Sequence, residues 1–413
     1  MKAIINIARV IVGVLFIFSG LVKANDPLGL GYKMQEFFEI WNEGLTKSSF
    51  FLAHPLVNLF DFFHAHSLAL SVIMIAFEII AGVALLLGWR MKLFSWLLLL
   101  LIVFFTFLTG YAFLSGKFKN CGCFGDCLPI TPLTSFLKDV VLTILIFFLF
   151  YHRNKIKPLF AARTGALSML VITILSFGIQ WYALSYLPFK DCLPFKVGNN
   201  IPEQMKMPAD AIPDSTVITF IYQKDGKNVE FTADKFPADF SADKYKYVDR
   251  KDNIVRKGVN NEPPVKGLSF SGTTDEDSAM IILAEPYAVL IFDENFETPV
   301  NEWQNGFLKI YDEIKKKNIP VYIITTTIDD AKIKLGNTPL SAIPVLKCDY
   351  TVIRTAARTK PAMYLLREGT VLNKWSYKRF GDAAGAINNV PSQPRKEDIA
   401  MPPAVQNADS VNH

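Results

Sequence analysis

The sequence predicts a two-part molecule: a bundle of five membrane-spanning helices, then an extramembrane α/β domain carrying a β-rich insertion. Three observations carry this prediction. Five apolar runs are long enough to cross a bilayer, the composition turns ordinary and polar after residue 187, and from about residue 279 apolar strands alternate with amphipathic helical spacing.

The apolar runs lie near residues 4–22, 67–88, 93–115, 136–152 and 165–187. A hydrocarbon layer about 30 Å thick takes about 20 helical residues, so each run qualifies, the fourth being the shortest. Lys2 before the first run imitates a secretory signal, but Ser19-Gly20-Leu21-Val22-Lys23 leads into a polar segment without a small-residue cleavage site. The run therefore reads as a retained helix. Orientation follows from the basic residues of the short loops. Lys2 and Arg9, then Arg90 and Lys92, then Arg153, Lys155, Lys157 and Arg163 all fall on one side if the spans alternate. That side is expected to be cytoplasmic, which places the polar 23–66 segment, the 116–135 loop and everything beyond 187 outside. The expected location is a bacterial inner membrane, with the lipid bilayer as one partner and the C-terminal half in the periplasm. The formal charge of +5 is largely this loop charge, and no arginine-rich, aromatic-interleaved stripe points to nucleic acid.

All five cysteines then fall on the outer side, where disulfides persist. Cys121, Cys123 and Cys127 crowd into Asn120-Cys121-Gly122-Cys123-Phe124-Gly125-Asp126-Cys127, and Cys192 follows the fifth span at the same membrane face. Three chemistries fit. A structural disulfide such as Cys127–Cys192 would pin the loop to the end of span five. A working pair at Cys121 and Cys123 would form a small strained ring, which exchanges readily, with Cys127 or Cys192 resolving. Gly122 and Gly125 would permit its tight backbone, and Lys117 and Lys119 would favour a thiolate. Three thiolates could also hold zinc, although the usual second Cys or His pair is absent; no metal is expected.

Arg9 and Glu78 fall inside predicted spans, where an unpaired charge is costly; the simplest arrangement pairs them across helices one and two, the alternative being that Arg9, about one turn into its helix, snorkels to the cytoplasmic surface. Lys138 and Asp139 mark the outer end of span four. The four form either a structural polar network or a quinone- or proton-handling site beside the thiols.

In the soluble half, residues 188–215 read as a Pro-, Lys- and Asn-rich linker. Thr216–Tyr222 and Val229–Thr232 form a hairpin through Asp225-Gly226, and Tyr245–Val248 and Ile254–Val255 continue the β pattern around a further turn. Beyond these come an apolar strand (Ala288–Phe292), a helix (Trp303–Lys317) and a buried strand (Val321–Ile324). A hairpin follows, Ala362–Leu366 and Val371–Trp375 joined through Glu368-Gly369, and a closing helix covers about 379–388. The Pro-rich tail from 391 lacks any such pattern. The expected divisions are 1–187, 188–284, 285–390 and 391–413.

Two resemblances sharpen this outline. The run Arg9…Gly13…Phe16…Phe18-Ser19-Gly20-Leu21-Val22-Lys23…Asp26-Pro27 and the run Glu78-Ile79-Ile80-Ala81-Gly82…Leu85-Leu86-Leu87-Gly88 resemble the first two helices of DoxX-like membrane proteins. Cys121-Gly122-Cys123-Phe124-Gly125, with Lys138-Asp139 opening the next helix, is similar to the methylamine-utilisation MauE branch over roughly residues 1–150. That likeness implies thiol–disulfide work at the outer membrane face, in maturation of a disulfide-rich client, and the wider group implies quinone as an electron acceptor. Residues 285–390 resemble a thioredoxin fold, with Pro361 in the place of its cis-proline. Asp293-Glu294-Asn295-Phe296-Glu297-Thr298 stands where the Cys-x-x-Cys should be, and Cys348 is alone in the domain, more fitted to a structural thiol than to a nucleophile.

Two functions fit these readings. One is a membrane-anchored factor for extracytoplasmic thiol–disulfide exchange or protein maturation, acting on a client held by the thioredoxin-like domain. The other is a non-enzymatic DoxX-type scaffold displaying that domain to envelope proteins. A transporter is disfavoured because five spans show no repeat.

Overall fold

In a computed structural model of the chain, the structure describes residues 1–394 apart from 49, 119–121, 123, 124, 233, 242, 257, 259, 274 and 275. The chain opens with α1 (Lys2–Ala24), followed by α2 (Pro27–Thr46), α3 (Ala53–Ala65), α4 (Ser67–Leu87), α5 (Met91–Ser115), α6 (Pro132–Tyr151) and α7 (Ala162–Tyr186). Of these, α1, α4, α5, α6 and α7 are long and apolar enough to cross a membrane. Small residues set the tightest seam, between α1 and α4: a Cβ added to Gly82 would lie 2.9 Å from the carbonyl oxygen of Gly13, so the two backbones meet where side chains cannot fit.

The polar 23–66 segment is mostly helical, as α2 and α3. The Asp26 carboxylate accepts from the Gly29 N–H at 3.1 Å and caps α2, with Pro27 at the first helical position. Leu30, Met34 and Phe37 then turn one face of α2 toward the bundle, while Phe37 stacks on Phe118 at 4.1 Å between ring centroids. An aromatic cluster that includes Phe38, Trp41 and Phe60 fastens α3 to α2.

Beyond the membrane helices come α8 (Ile201–Gln204), β1 (Ser215–Lys224), β2 (Lys227–Thr232), β3 (Lys246–Arg256), α9 (Ala279–Leu283), β4 (Ala288–Phe292), α10 (Val300–Lys316) and β5 (Val321–Thr325). The chain continues with α11 (Ile328–Leu335), β6 (Val345–Lys347), α12 (Tyr350–Ala356), β7 (Ala362–Arg367), β8 (Thr370–Ser376), a 3₁₀ segment (Tyr377–Ala383) and α13 (Ala384–Asn388). A small antiparallel sheet runs β2-β1-β3. Both residues of its Asp225-Gly226 turn have positive φ, as a two-residue hairpin needs. β3 is one strand, not two short ones around a turn: Asp249, Arg250, Lys251, Asp252 and Asn253 pair along β1 from Ile221 to Val217. Their polarity suggests a turn, but on an exposed edge the backbone ladder carries them.

The larger sheet has the order β6-β5-β4-β7-β8, with β4, β5 and β6 parallel and β7 and β8 antiparallel. β4 is buried on both faces. Val289 and Ile291 pack with Trp303, Phe307 and Phe380 on one side, while Leu290 and Phe292 face the other. That second layer combines α12 (Val352, Ile353, Ala356) with segments outside 285–390. Phe195 and Ile201 lie in it, Ile201 N–H donates to the Gly369 carbonyl at 2.8 Å, and Phe270 and Ile282 complete it. Residues 193–205 are therefore part of the domain, not a free linker, because β4 has a second apolar face to cover.

Candidate functional site

Two cavities meet at the cysteine loop. The first lies among α1, α2, α4, α5 and α6, walled by apolar side chains such as Phe16, Met34, Phe37, Ile102, Phe105 and Leu142. Four charges are set into this wall. Lys23 and Glu78, 3 % and 1 % exposed, form an ion pair, and the Ser19 hydroxyl donates to the other Glu78 oxygen at 3.2 Å. Lys138 and Asp139 form a second ion pair, with Thr109 Oγ1 donating to Asp139 Oδ2 at 3.1 Å. Each cation has its own carboxylate, the condition under which charge is tolerated in such surroundings.

The expected partnership of Arg9 with Glu78 is thus corrected. Glu78 is held by Lys23, which lies 14 residues from Arg9 and so about 21 Å along α1. Arg9 does not line this pocket, whereas Glu78, Lys138 and Asp139 do. Lys23 stood at the end of the first apolar run and carried no visible pairing signal, since its partner is 55 residues away in sequence.

The second cavity, about 790 Å³, opens between α2, Gly122 and residues 125–130, the chain after α7, and α12 of the soluble domain. Lys33 and Gly122 line both cavities. Gly122 has φ +68, and a Cβ there would approach Lys33 Cγ to 3.0 Å, so glycine suits this crossing point twice over. Its sequence neighbours Cys121 and Cys123 lie outside the described residues.

Cys127 and Cys192 are joined by a disulfide that ties the loop to the segment leaving α7. Cys127 is therefore not free to complete a three-thiolate metal set with Cys121 and Cys123, nor is it a resolving thiol in this state. Asn25 braces the same place, donating to the Lys190 carbonyl at 2.8 Å and accepting from its N–H at 2.9 Å. Each half-cystine is preceded by an aspartate, and each aspartate is held by a cation of the soluble domain. Arg358, 5 % exposed, bridges Asp126 at 2.6 Å and Asp26 at 2.8 Å; Lys374 meets Asp191 at 3.1 Å. Burial pulls the Arg358 guanidinium down, but the two aspartates outweigh it and hold it above its ordinary value. Burial pushes the Asp26 carboxyl up against the opposing pull of Arg358.

The end of the soluble domain that carries the Lys360–Pro361 cis bond faces this junction. Tyr32 of α2 lies under two guanidinium groups, Arg354 at 4.8 Å and Arg358 at 5.5 Å from its ring centroid. Arg354 is also paired with Glu294 at 2.8 Å, and Lys360 with Glu297 at 3.0 Å. After β4, Asp293 stands in place of any thiol: Oδ1 accepts from Phe296 N–H at 2.9 Å, and burial pushes the carboxyl up to about 7. Cys348 is free and buried, with its thiol pushed up to about 12 by burial, which suppresses the thiolate needed for exchange.

Residues 1–152 match the family described as methylamine utilisation protein MauE, and residues 216–257 match a domain of unknown function, DUF8463. Protein TlpB of Flavobacterium psychrophilum is 41% identical over 59 residues, which are 14% of this chain and 16% of that relative. No solved structure matches. The likeness to the MauE family therefore covers the walls of the ion-paired pocket and the cysteine loop, and stops short of the soluble domain that closes over them.

Proposed function

We propose that this protein is a membrane-anchored factor for thiol–disulfide exchange or protein maturation outside the bilayer, with Cys121 and Cys123 as the reactive pair. The observation that carries this reading is the position of Gly122, flanked in sequence by both thiols, in the wall of both cavities. The cleft on one side of Gly122 offers a way in for a client, and the apolar pocket on its other side offers room for an acceptor. A client dithiol would pass two electrons and two protons to the Cys121–Cys123 disulfide and leave as a disulfide. Reoxidation of the resulting dithiol needs a two-electron, two-proton acceptor, and a quinone ring suits the pocket. Phe16 and Phe105 supply apolar faces, while Lys23 and Lys138 supply donors toward a carbonyl oxygen. Cys127–Cys192 is the tether that keeps the loop in register.

The strand order β6-β5-β4-β7-β8 supports a thioredoxin-like reading of residues 285–390. With Asp293–Thr298 free of cysteine, that domain positions the loop and the client and performs no exchange of its own. The second reading, a non-enzymatic scaffold, draws on the same absence of cysteine and on Arg354, Arg358 and Lys360 being engaged with the chain's own residues. Alkylation trapping separates the two. The purified protein is alkylated before and after mild reduction, and the labelled cysteines are mapped. Exchange of a Cys121–Cys123 bond with glutathione at physiological potential, while Cys127–Cys192 persists, is the expected result. Cysteines 121 and 123 that stay reduced, or oxidised and inert, would leave the scaffold.

A further inference from the structure

A third cavity lies at the end of the bundle opposite the cysteine loop, where α4 gives way to α5 and α6 to α7. It encloses about 650 Å³ and is lined by Arg90, Lys92 and Arg153, with Trp89, Asn154 and Phe160 around them. Residues 88–93 and 152–164 add Lys155, Lys157 and Arg163 at the same end and contain no acidic residue. The carboxylates of residues 1–187 (Asp26, Glu36, Glu39, Glu43, Asp61, Glu78, Asp126, Asp139) sit at the other end or within the spans. Among the described residues, no carboxylate forms an ion pair with Arg90, Lys92 or Arg153.

The cations are oriented as well as concentrated. The Arg90 guanidinium lies over the Trp89 ring at 5.2 Å; that of Arg153 lies over Phe150 at 4.2 Å and donates to the Phe150 carbonyl at 2.9 Å. Backbone contacts fix the walls: Leu159 N–H donates to the Leu87 carbonyl at 2.9 Å, and a Cβ at Gly88 would sit 2.6 Å from the Lys157 carbonyl oxygen. α5 and α7 both begin here with no side-chain cap and no acid in the first turn, so their free N–H groups add to the positive field. Beside the cations, Leu93, Leu159 and Phe160 are about half exposed, at the level where helix ends meet the lipid interface.

We propose that this cleft binds the phosphate headgroup of an anionic phospholipid, with the headgroup held by Arg90, Lys92 and Arg153 and the acyl chains along Leu93 and Phe160. Loop charge that serves only to set orientation needs no concave site; here it is folded into one that lacks a counter-charge and opens at the lipid boundary. The site is independent of the thiol chemistry at the other end of the molecule.

The test uses the full chain in nanodiscs of phosphatidylcholine mixed with phosphatidylglycerol, with retained lipid read by native mass spectrometry. Phosphatidylglycerol is expected to be retained about tenfold or more in preference to phosphatidylcholine. The triple variant Arg90→Gln, Lys92→Gln, Arg153→Gln should lose that preference. The variant Arg90→Lys, Arg153→Lys preserves the charge that orients the spans and should keep most of it. An intact Cys127–Cys192 bond reports folding in each case. Equal retention of the two lipids by the unaltered protein, or an undiminished preference in the triple variant, overturns the proposal. Displacement of the lipid by millimolar inorganic phosphate would assign the site to free anion instead.

Discussion

Glu78 and Lys23 show what a single buried charge requires. Each is nearly unexposed, so removing one leaves the other uncompensated in surroundings where that costs about 3–5 kcal/mol. Glu78→Leu is therefore expected to lower thermal stability in detergent by that order, and Lys23→Met combined with Glu78→Leu to recover most of it; a double-mutant cycle on unfolding temperature reads the difference. Asp293 makes the opposite case, a buried carboxyl with one oxygen lacking any partner. Its folded value of about 7 lies above the ordinary 3.8, so the native state keeps a proton that the unfolded chain has released. The stability this contributes is complete below pH 3.8 and is lost as pH rises through 7. The unfolding temperature of the soluble domain should fall between about pH 4 and pH 7, and Asp293→Asn should flatten that fall.

At the scale of elements, α2 decides the shape of the site, and Asp26 decides where α2 begins. Its Oδ1 caps the helix and its Oδ2 faces Arg358, two jobs that substitution can separate. Asp26→Asn keeps a good cap and loses the charge pairing, whereas Asp26→Ala loses both, the cap alone being worth about 1 kcal/mol. Thermal unfolding should rank the unaltered protein above the Asn variant and the Asn variant above the Ala variant. The α1–α4 seam is the other decisive element, because it sets Lys23 opposite Glu78. Gly82→Val would drive a side chain into the Gly13 carbonyl and Ile17, and overpacking of this kind costs about 1–3 kcal/mol. It should also disturb the ion pair, so its effect and that of Glu78→Leu should fall short of additive.

Across the whole molecule, Arg358 and the Cys127–Cys192 bond hold one loop at adjacent residues, Asp126 and Cys127. Arg358→Gln leaves Asp26 and Asp126 without their shared cation. Limited proteolysis should then cut the segment after α7 faster, and reducing the disulfide should accelerate cleavage further. Unchanged cleavage would mean that the domain is held without them. The membrane spans, the turns at Asp225-Gly226 and Glu368-Gly369 and the strand–helix order of the soluble domain were legible in the sequence, because apolar length, turn chemistry and hydrophobic period are local properties. So was the crowding of thiols into one loop. Lys23 against Glu78, Arg358 between two aspartates, and residues 193–205 under β4 were not legible, since each joins positions far apart in the chain. Arg9 was the cation that fell inside a predicted span, yet helix rise alone sets it about 21 Å from the Lys23 position that meets Glu78. What the sequence determined is which residues must be buried or membrane-bound and where the cysteines cluster. Only the tertiary structure decided which charges neutralise one another, because pairing depends on distance in space, and that distance is set by packing.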